Sequence, residues 1–216
     1  MPRPSNSARA LRTAGVLETL EATYPDAHCE LRFATPLELL VATILSAQCT
    51  DKRVNLVTAD LFQHYRRAED YASAPLPDLE AAIRTAGFFR NKARNIRTCC
   101  QMLVERHGSA VPQTLAELVQ LPGVGRKTAN VVLGNAFDRN DGVVVDTHVA
   151  RLSQRLGLTR ARQPEAIEID LIRQIPRERW TRFSHQLIWH GRRRCRARNP
   201  DCGGCELRQL CPSAPA

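Results

Sequence analysis

Residues 121–133 read LPGVGRKTANVVL, in which two glycines one residue apart are followed by two cations and an apolar pattern. Pro-Gly and closely spaced glycines are typical of a tight turn. From Gly125 onward, apolar side chains recur at the spacing of a helix with one buried face. They are Ala129, Val132, Leu133 and Ala136. The stretch therefore predicts a hairpin that leads directly into the N-terminus of a helix.

The two cations have the wrong sign for this position. A helix N-terminus carries free N–H groups and a positive macrodipole, so a cation there costs about 0.3 to 1 kcal/mol. Only three of the 31 cationic residues are lysines, namely Lys52, Lys92 and Lys127. An amine can act as a nucleophile, whereas a guanidinium stays protonated. We therefore expect an anionic partner beside Arg126 and Lys127, or a reaction that needs the Lys127 amine.

The hairpin departs from the two best-known phosphate-binding fingerprints. A P-loop has glycine immediately before its lysine, where this chain has Arg126, and a dinucleotide motif needs glycine at position 128, which is Thr128. A capping box of Thr114 and Glu117 predicts a helix that ends at Leu121, so helices flank the glycines on both sides. The resulting helix-hairpin-helix either grips DNA phosphates through backbone N–H groups or is a structural turn.

Composition and charge favour a nucleic-acid partner. The 216 residues are 43% hydrophobic, enough for one large domain or two small ones. The net charge of +9 and a sequence pI of about 9.6 favour an anionic partner, although charge can also serve solubility alone. Residues 177–198 contain eight arginines and one acid. The sequence contains no recognisable signal peptide or membrane span, so we expect a cytoplasmic, nucleoid-associated protein with no membrane partner.

Helical periodicity extends over most of the chain. Thr35 as N-cap and Pro36 at the first position open a helix with one apolar stripe. The stripe consists of Leu37, Leu40, Val41, Ile44 and Leu45. Gln48 falls next on that stripe, either as a helix terminus or as a residue that points into a site. Further helices are predicted to be capped by Asp51 and by Asp78, to close at Gly108, to begin at Asp146 and to end at Gly191.

Four cysteines lie close together near the C-terminus, in a segment rich in Gly and Pro. They are Cys195, Cys202, Cys205 and Cys211. In a reducing compartment such a group indicates a metal centre. Zinc sites usually pair two Cys-x2-Cys units and this chain has one, while Pro212 follows the last cysteine as in some iron-sulfur proteins. The spacing favours iron-sulfur and leaves zinc open. The other four cysteines are predicted to be buried thiols.

Lys127 and Asp146 are the candidate catalytic pair. A neutral amine can attack an electrophilic sugar carbon and form a Schiff base, but the neutral form needs burial as well as the helix dipole. Asp146 lies nineteen residues later, at another predicted helix start. It can be an ordinary N-cap, or it can stabilise positive charge on the sugar and transfer protons.

These motifs together resemble the endonuclease III family of DNA glycosylases, within the helix-hairpin-helix superfamily. LPGVGRKTANVVL is similar to the family's hairpin and nucleophilic lysine, VVVDTHV to its aspartate segment, and LSAQCTD to its early DNA-contacting helix end. The resemblance covers nearly the whole chain and implies an all-α, two-domain fold with an iron-sulfur cluster loop. One domain is a six-helix barrel-like unit at 29–139 that contains the hairpin; the other combines 1–28 with 140–216. The site would lie between them.

The resemblance also implies the reaction and the roles of residues. Oxidised pyrimidines are excised and the strand is then cleaved by β-elimination, with Lys127 as the nucleophile that forms an imine and Asp146 assisting base departure and proton transfer. The implied partner of a monomer is double-stranded DNA with oxidised pyrimidines or abasic sites. The implied [4Fe-4S] ligands are Cys195, Cys202, Cys205 and Cys211. The implied DNA contacts are Gln48, Phe88, Gly123, Val124, Gly125, Arg126, Thr128, His148, Arg196 and Arg198.

Phe88 departs from the family pattern, which commonly has an aliphatic wedge at this position. An aromatic wedge would stack on a base of the opposite strand and change the opposite-base preference; alternatively Phe88 belongs to the core. Gln48 corresponds to the residue that fills the space left by the extruded nucleotide. Two other functions compete. A monofunctional adenine mismatch glycosylase characteristically lacks the lysine, and a non-enzymatic DNA-binding module with structural zinc needs neither Lys127 nor Asp146.

Overall fold

A computed structural model describes residues 6–215, with side chains from Ala8 onward. The described residues form α-helices joined by loops and short 3-10 turns, with no β-strand among them, as expected for an all-α fold. The helices are α1 (Asn6–Thr23), α2 (Pro36–Leu45), α3 (Asp51–His64), α4 (Ala68–Ser73), α5 (Leu76–Ala82), α6 (Phe89–His107), α7 (Leu115–Leu118), α8 (Arg126–Ala136), α9 (Thr147–Arg155), α10 (Pro164–Ile172) and α11 (Trp180–Arg193). None of these helices is long and apolar enough to cross a membrane.

The chain divides into two compact units. One is continuous and runs from Cys29 to Asp141, which is two residues beyond the predicted boundary at 139. It contains α2 to α8. The other combines the described residues up to His28 with those from Gly142 onward, and it contains α1 and α9 to α11. Each unit has its own cluster of buried apolar side chains.

In the continuous unit, α2 and α6 occupy the centre. Helix α2 packs on α3, α6 and α8, while α4 and α5 pack on α6. Thr35 caps α2 as predicted, accepting the Glu38 N–H at 3.2 Å. The helix ends at Leu45, so Gln48 lies in the following loop and the prediction that it continues the helical stripe is wrong. Helix α6 closes at Gly108 in the left-handed conformation, as predicted.

Several predicted helix boundaries in this unit need correction. Thr50, not Asp51, is the N-cap of α3, since its side chain accepts the Arg53 N–H at 3.3 Å. Asp78 does not cap α5: it lies in the first turn of this helix, whose N-cap is Pro75. Helix α7 is a single turn that ends at Leu118 rather than Leu121. The next residues form tighter i to i+3 hydrogen bonds, which end the α-helical pattern before the glycines.

In the discontinuous unit, α11 packs on α1 and α9, and α10 packs on α9. A buried segment of three valines, 143–145, leads into α9. The Val144 N–H donates to Ser184 Oγ of α11 at 3.1 Å, which satisfies a buried backbone group. Helix α11 continues past Gly191, which was predicted to end it. This glycine instead makes room for α9, because a Cβ at Gly191 would lie 2.7 Å from His148 Nδ1.

Candidate active site and cysteine loop

The glycine hairpin forms between α7 and α8, as predicted. Val124 is its buried anchor, and its N–H donates to the Leu121 carbonyl at 3.1 Å. Gly123 has φ +80°, and a Cβ there would lie 3.0 Å from Asn95 Cβ of α6. Gly125 has an ordinary φ of −87° and faces open space. Gly123 is therefore required by its left-handed backbone conformation and by its close packing on Asn95, whereas the open space at Gly125 leaves room for a bound ligand.

Helix α8 begins with an uncapped and exposed first turn. Its N-cap is Gly125, which has no side chain to accept a first-turn N–H. Arg126 and Lys127 are both exposed, and Thr128 is half-buried. Two cations, together with N–H groups that α8 cannot satisfy itself, make this turn attractive to a phosphate. The side chain of Lys127 is not buried by the chain itself.

Asp146 is the N-cap of α9, since its Oδ1 accepts the Val149 N–H at 2.8 Å. The side chain is half-buried. The sequence left open whether Asp146 is an N-cap, and the structure shows that it is one. Capping does not remove the catalytic alternative, because the carboxylate that caps α9 through Oδ1 has a second oxygen.

His148 lies in the first turn of α9, and its ring is contacted by Arg151 of the same helix. Its Nδ1 lies 3.1 Å from Arg151 Nη2, which also donates to the carbonyls of Gly191 at 3.2 Å and Cys195 at 3.0 Å. Burial is the main cause of a lowered pKa for His148, with Arg151 and Arg192 adding repulsion and Asp146 opposing it. A neutral ring that accepts at Nδ1 carries its proton on Nε2. His148 can thus donate a hydrogen bond from Nε2.

Gln48 and Phe88 are exposed residues with left-handed backbone. Their φ values are 53° and 47°, and Phe88 is 65% exposed. The core alternative for Phe88 is therefore wrong. A bulky aromatic residue rarely adopts positive φ, and such strained positions cluster at functional sites. Both side chains project from loops of the same unit, one after α2 and one before α6.

Lys92 is a buried lysine that the sequence did not single out. It lies in the first turns of α6 and is 4% exposed. Its Nζ donates to the Leu45 and Ala86 carbonyls, each at 2.8 Å. The Leu45 carbonyl ends α2, before the Gln48 loop, and the Ala86 carbonyl precedes Phe88. A signal was present in the helical spacing, since Lys92 stands four residues before the buried Ile96 and so lies on the apolar face of α6.

The four clustered cysteines follow α11. All are half-buried and free of disulfides, and together they line a cavity of about 190 Å³. In the part of the chain that the structure describes, no three His, Cys, Asp or Glu side chains are placed to share one metal ion. A single zinc ion would need its sulfurs about 2.3 Å from one point. Thiolates are ligands of zinc and of iron-sulfur clusters, so the chemistry of the four cysteines fits either group.

Arg155 and Arg194 hold the cysteine loop in place, in addition to the contact of Arg151 with the Cys195 carbonyl. Arg155 donates to Cys195 Sγ at 3.1 Å and to the carbonyls of Arg196 at 2.8 Å and Ala197 at 3.0 Å. Arg194 pairs with Asp201 at 2.9 Å and with Glu206 at 3.1 Å. The predicted contacts Arg196 and Arg198 stay exposed. In this basic loop the backbone carbonyls of Arg196 and Ala197 are thus hydrogen-bonded to Arg155, while the side chains of Arg196 and Arg198 are exposed to solvent.

Comparison with known proteins supports the resemblance seen in the motifs. Residues 41–177 match the family described as HhH-GPD superfamily base excision DNA repair protein. Endonuclease III of Synechocystis sp. is 53% identical over 210 residues, which cover 97% of this chain and 96% of the relative. A non-covalent endonuclease III–DNA complex and a trapped covalent endonuclease III–DNA intermediate each match with a TM-score of 0.91 and 46% identity, over 95% of this chain and 96% of theirs. The chain therefore belongs to the endonuclease III family of base-excision-repair DNA glycosylases and AP lyases.

Proposed function

We propose that this enzyme excises oxidised pyrimidines from double-stranded DNA and cleaves the strand through a Schiff base on Lys127. The observation that carries the proposal is the placement of Lys127 in the exposed, uncapped first turn of α8, directly after the glycine hairpin. A cation destabilises a helix there, so a functional reason is needed. A relative of the same fold has been trapped as a covalent intermediate on DNA, which supports a nucleophile in this family.

The proposed reaction begins with the neutral Lys127 amine. It forms a bond to C1′ of the damaged nucleotide while the base departs with the electrons of the glycosidic bond and takes up a proton. The attacking nitrogen gives up one of its two protons, and its lone pair then breaks the C1′–O4′ bond, so that O4′ takes up a proton and a protonated imine remains. Removal of a proton from C2′ forms a C2′=C3′ double bond, and the 3′ phosphate departs with the electrons of its bond to C3′. We assign the proton transfers and the stabilisation of positive charge on the sugar to Asp146.

The bound duplex supplies what the free chain lacks around Lys127. Closure of DNA over the first turn of α8 would exclude water from the amine, and the neighbouring Arg126 would meet a phosphate. The amides of Gly123, Gly125 and Thr128 would face the same backbone. The predicted contact Val124 would not donate there, since its N–H already binds the Leu121 carbonyl, and it would act by holding the hairpin in shape. Arg196 and Arg198 would contact further phosphates. Gln48 would fill the space of the extruded nucleotide, Phe88 would stack against the opposite strand, and His148 would donate to the DNA backbone.

We also propose that Cys195, Cys202, Cys205 and Cys211 hold a [4Fe-4S] cluster. Four clustered thiols around a cavity of about 190 Å³, and Pro212 directly after the last of them, support this assignment. When bound, the cluster supplies a cross-link that fixes the basic loop, which Arg155 already ties to Cys195. A brown preparation that absorbs near the visible-ultraviolet boundary is expected. A colourless protein containing zinc would contradict the cofactor without affecting the role of Lys127. We further propose that the enzyme is a monomer associated with the nucleoid.

Borohydride trapping tests the proposed reaction. A duplex containing thymine glycol is incubated with the native protein, with Lys127→Gln and with the matched control Lys52→Gln, which also removes the charge of an exposed lysine. We expect a covalent protein–DNA band with the native protein and the control, and none with Lys127→Gln. Base release without a band would indicate a monofunctional glycosylase. DNA binding with neither base release nor a band would indicate a binding module or a different lesion.

A further inference from the structure

The buried ammonium of Lys92 has no obvious place in a core. It is 4% exposed and lies in the first turns of α6, among apolar side chains of the continuous unit. Burial lowers its pKa, because water no longer stabilises the charge. A buried charge is costly unless hydrogen bonds replace the lost water, and an apolar side chain would fill the same space at lower cost. The presence of a lysine at position 92 is therefore best explained by the backbone groups that its ammonium binds.

Its two hydrogen bonds reach the ends of two helical segments, each of which leads into a loop. The Leu45 carbonyl belongs to the last turn of α2, where carbonyls have no partner within the helix. Gln48 follows three residues later. The Ala86 carbonyl belongs to the 3-10 turn that precedes Gly87 and Phe88. The main chain adds a further link, since the Lys92 N–H donates to the Phe88 carbonyl at 3.1 Å.

The same face of α6 also reaches the hairpin. Asn95, three residues after Lys92, lies under Gly123, so close that a Cβ on this glycine would be 3.1 Å from Asn95 Nδ2. Residues three apart on a helix share a face. The loop of Gln48, the loop of Phe88 and the hairpin are thus all backed by one short surface of α6. Lys92 makes hydrogen bonds to the helical ends that lead into the first two.

We propose that Lys92 is a positioning residue that holds the Gln48 and Phe88 loops at a fixed separation, so that both side chains enter the duplex together. The inference rests on the proposed function, which gives these two residues their roles. Extrusion of a nucleotide requires the vacated space to be filled as the opposite strand is wedged open. If the two loops moved independently, one side chain would enter without the other and the nucleotide would return to the stack.

The first test compares Lys92→Met with Lys52→Met, two variants that remove one lysine charge each. Single-turnover borohydride trapping is measured on a duplex with an abasic site opposite guanine and on one with the abasic site opposite a one-nucleotide gap. We expect Lys92→Met to be slower than Lys52→Met on the first substrate by roughly 10- to 100-fold, the scale on which small misplacements act. On the gapped substrate, which has no opposite base to displace, the two variants should differ less than about twofold.

A double-mutant cycle provides the second test. In a protein that already carries Gln48→Ala and Phe88→Ala, adding Lys92→Met should change the trapping rate on the guanine duplex by less than about twofold, because the lysine acts through those side chains. Full additivity would overturn the inference, as would equal slowing on both substrates. If native protein and Lys52→Met also fail to trap, the proposed function itself is wrong and the inference falls with it.

Folding is checked by thermal melting followed by far-ultraviolet circular dichroism. If Lys92→Met does not fold, the same series is run with Lys92→Gln, which keeps a hydrogen-bond donor without the charge. Failure of both variants to fold would show that Lys92 serves stability alone and would overturn the inference.

Discussion

The beginnings of α6 and α8 each carry a lysine, and the two lysines have opposite surroundings. Lys92 of α6 is 4% exposed and donates to two carbonyls at 2.8 Å. Lys127 of α8 is exposed and follows a glycine N-cap. A buried lysine with a lowered pKa is the usual candidate for a nucleophile. Here the buried amine of Lys92 is hydrogen-bonded to backbone carbonyls and lies out of reach of a substrate. Lys127 is accessible and lies beside backbone N–H groups that have no partner within α8, so Lys127 is the better candidate for the nucleophile.

The largest effect is expected from Lys127→Arg. Arginine keeps the charge that would attract phosphate but cannot act as a nucleophile. Strand cleavage and borohydride trapping should fall by on the order of 10³-fold or more, as for removal of a catalytic nucleophile, while DNA affinity stays close to that of the native protein. Gel-based cleavage and fluorescence anisotropy measure the two separately. Cleavage that survives at a comparable rate would return attention to Lys92 or Lys52.

Asp146→Asn should have the next largest effect, and on chemistry more than on stability. Asparagine caps a helix about as well as aspartate, so α9 should persist. Loss of the carboxylate should slow base release by roughly 10²- to 10⁴-fold, the usual contribution of a positioned acid or base. Single-turnover base release and the melting temperature are the measurements. Asp146→Ala is the control that removes the cap as well; if both variants melt far below the native protein, capping is the main role of Asp146.

The two hairpin glycines should respond differently to alanine. Gly123→Ala places a Cβ at φ +80°, 3.0 Å from Asn95, and should destabilise the continuous unit by about 1 to 3 kcal/mol. Gly125→Ala introduces no such contact, so its cost should be that of a poor N-cap, about 1 kcal/mol or less. Its Cβ should instead weaken DNA binding. Chemical denaturation and anisotropy separate the two. Equal destabilisation would mean that Gly125 is also a purely structural residue.

The smallest effect is expected from the basic loop. Replacing Arg196 or Arg198 by glutamine should weaken DNA binding without changing the cleavage step. Each arginine that neutralises a phosphate should contribute about 1 to the slope of log affinity against log salt, so the slope should become shallower by that amount. Arg106→Gln, at the exposed end of α6, is the matched control. A salt titration of binding is the measurement. A slope that changes equally with Arg106→Gln would reflect net charge alone.

Local features were the ones that the sequence could predict. The hairpin, the Thr35 cap and the close of α6 at Gly108 depend on residues a few positions apart, where steric and hydrogen-bonding preferences act directly. Lys127 was singled out because its charge conflicts with the local helix dipole, and its role as nucleophile stays a prediction.

The features that were missed depend on distant parts of the chain. Lys92 and Leu45 are 47 residues apart, and Arg155 and Cys195 are 40 apart. Nothing in the sequence near Lys92 reveals that its partner is a backbone carbonyl at the end of another helix. Gln48 was assigned to a helical stripe because apolar spacing alone does not show where α2 ends. Hydrogen bonds across a fold can be read only after packing is known.

Mapping of the trapped adduct tests most directly which lysine is the nucleophile. The chain contains three lysines, so the borohydride-reduced protein–DNA complex can be digested with nuclease and protease and its modified residue located by mass spectrometry. We expect the sugar remnant on Lys127 alone. A remnant on Lys92, on Lys52 or on the N-terminal amine would contradict the assignment of the exposed lysine of α8 as the nucleophile.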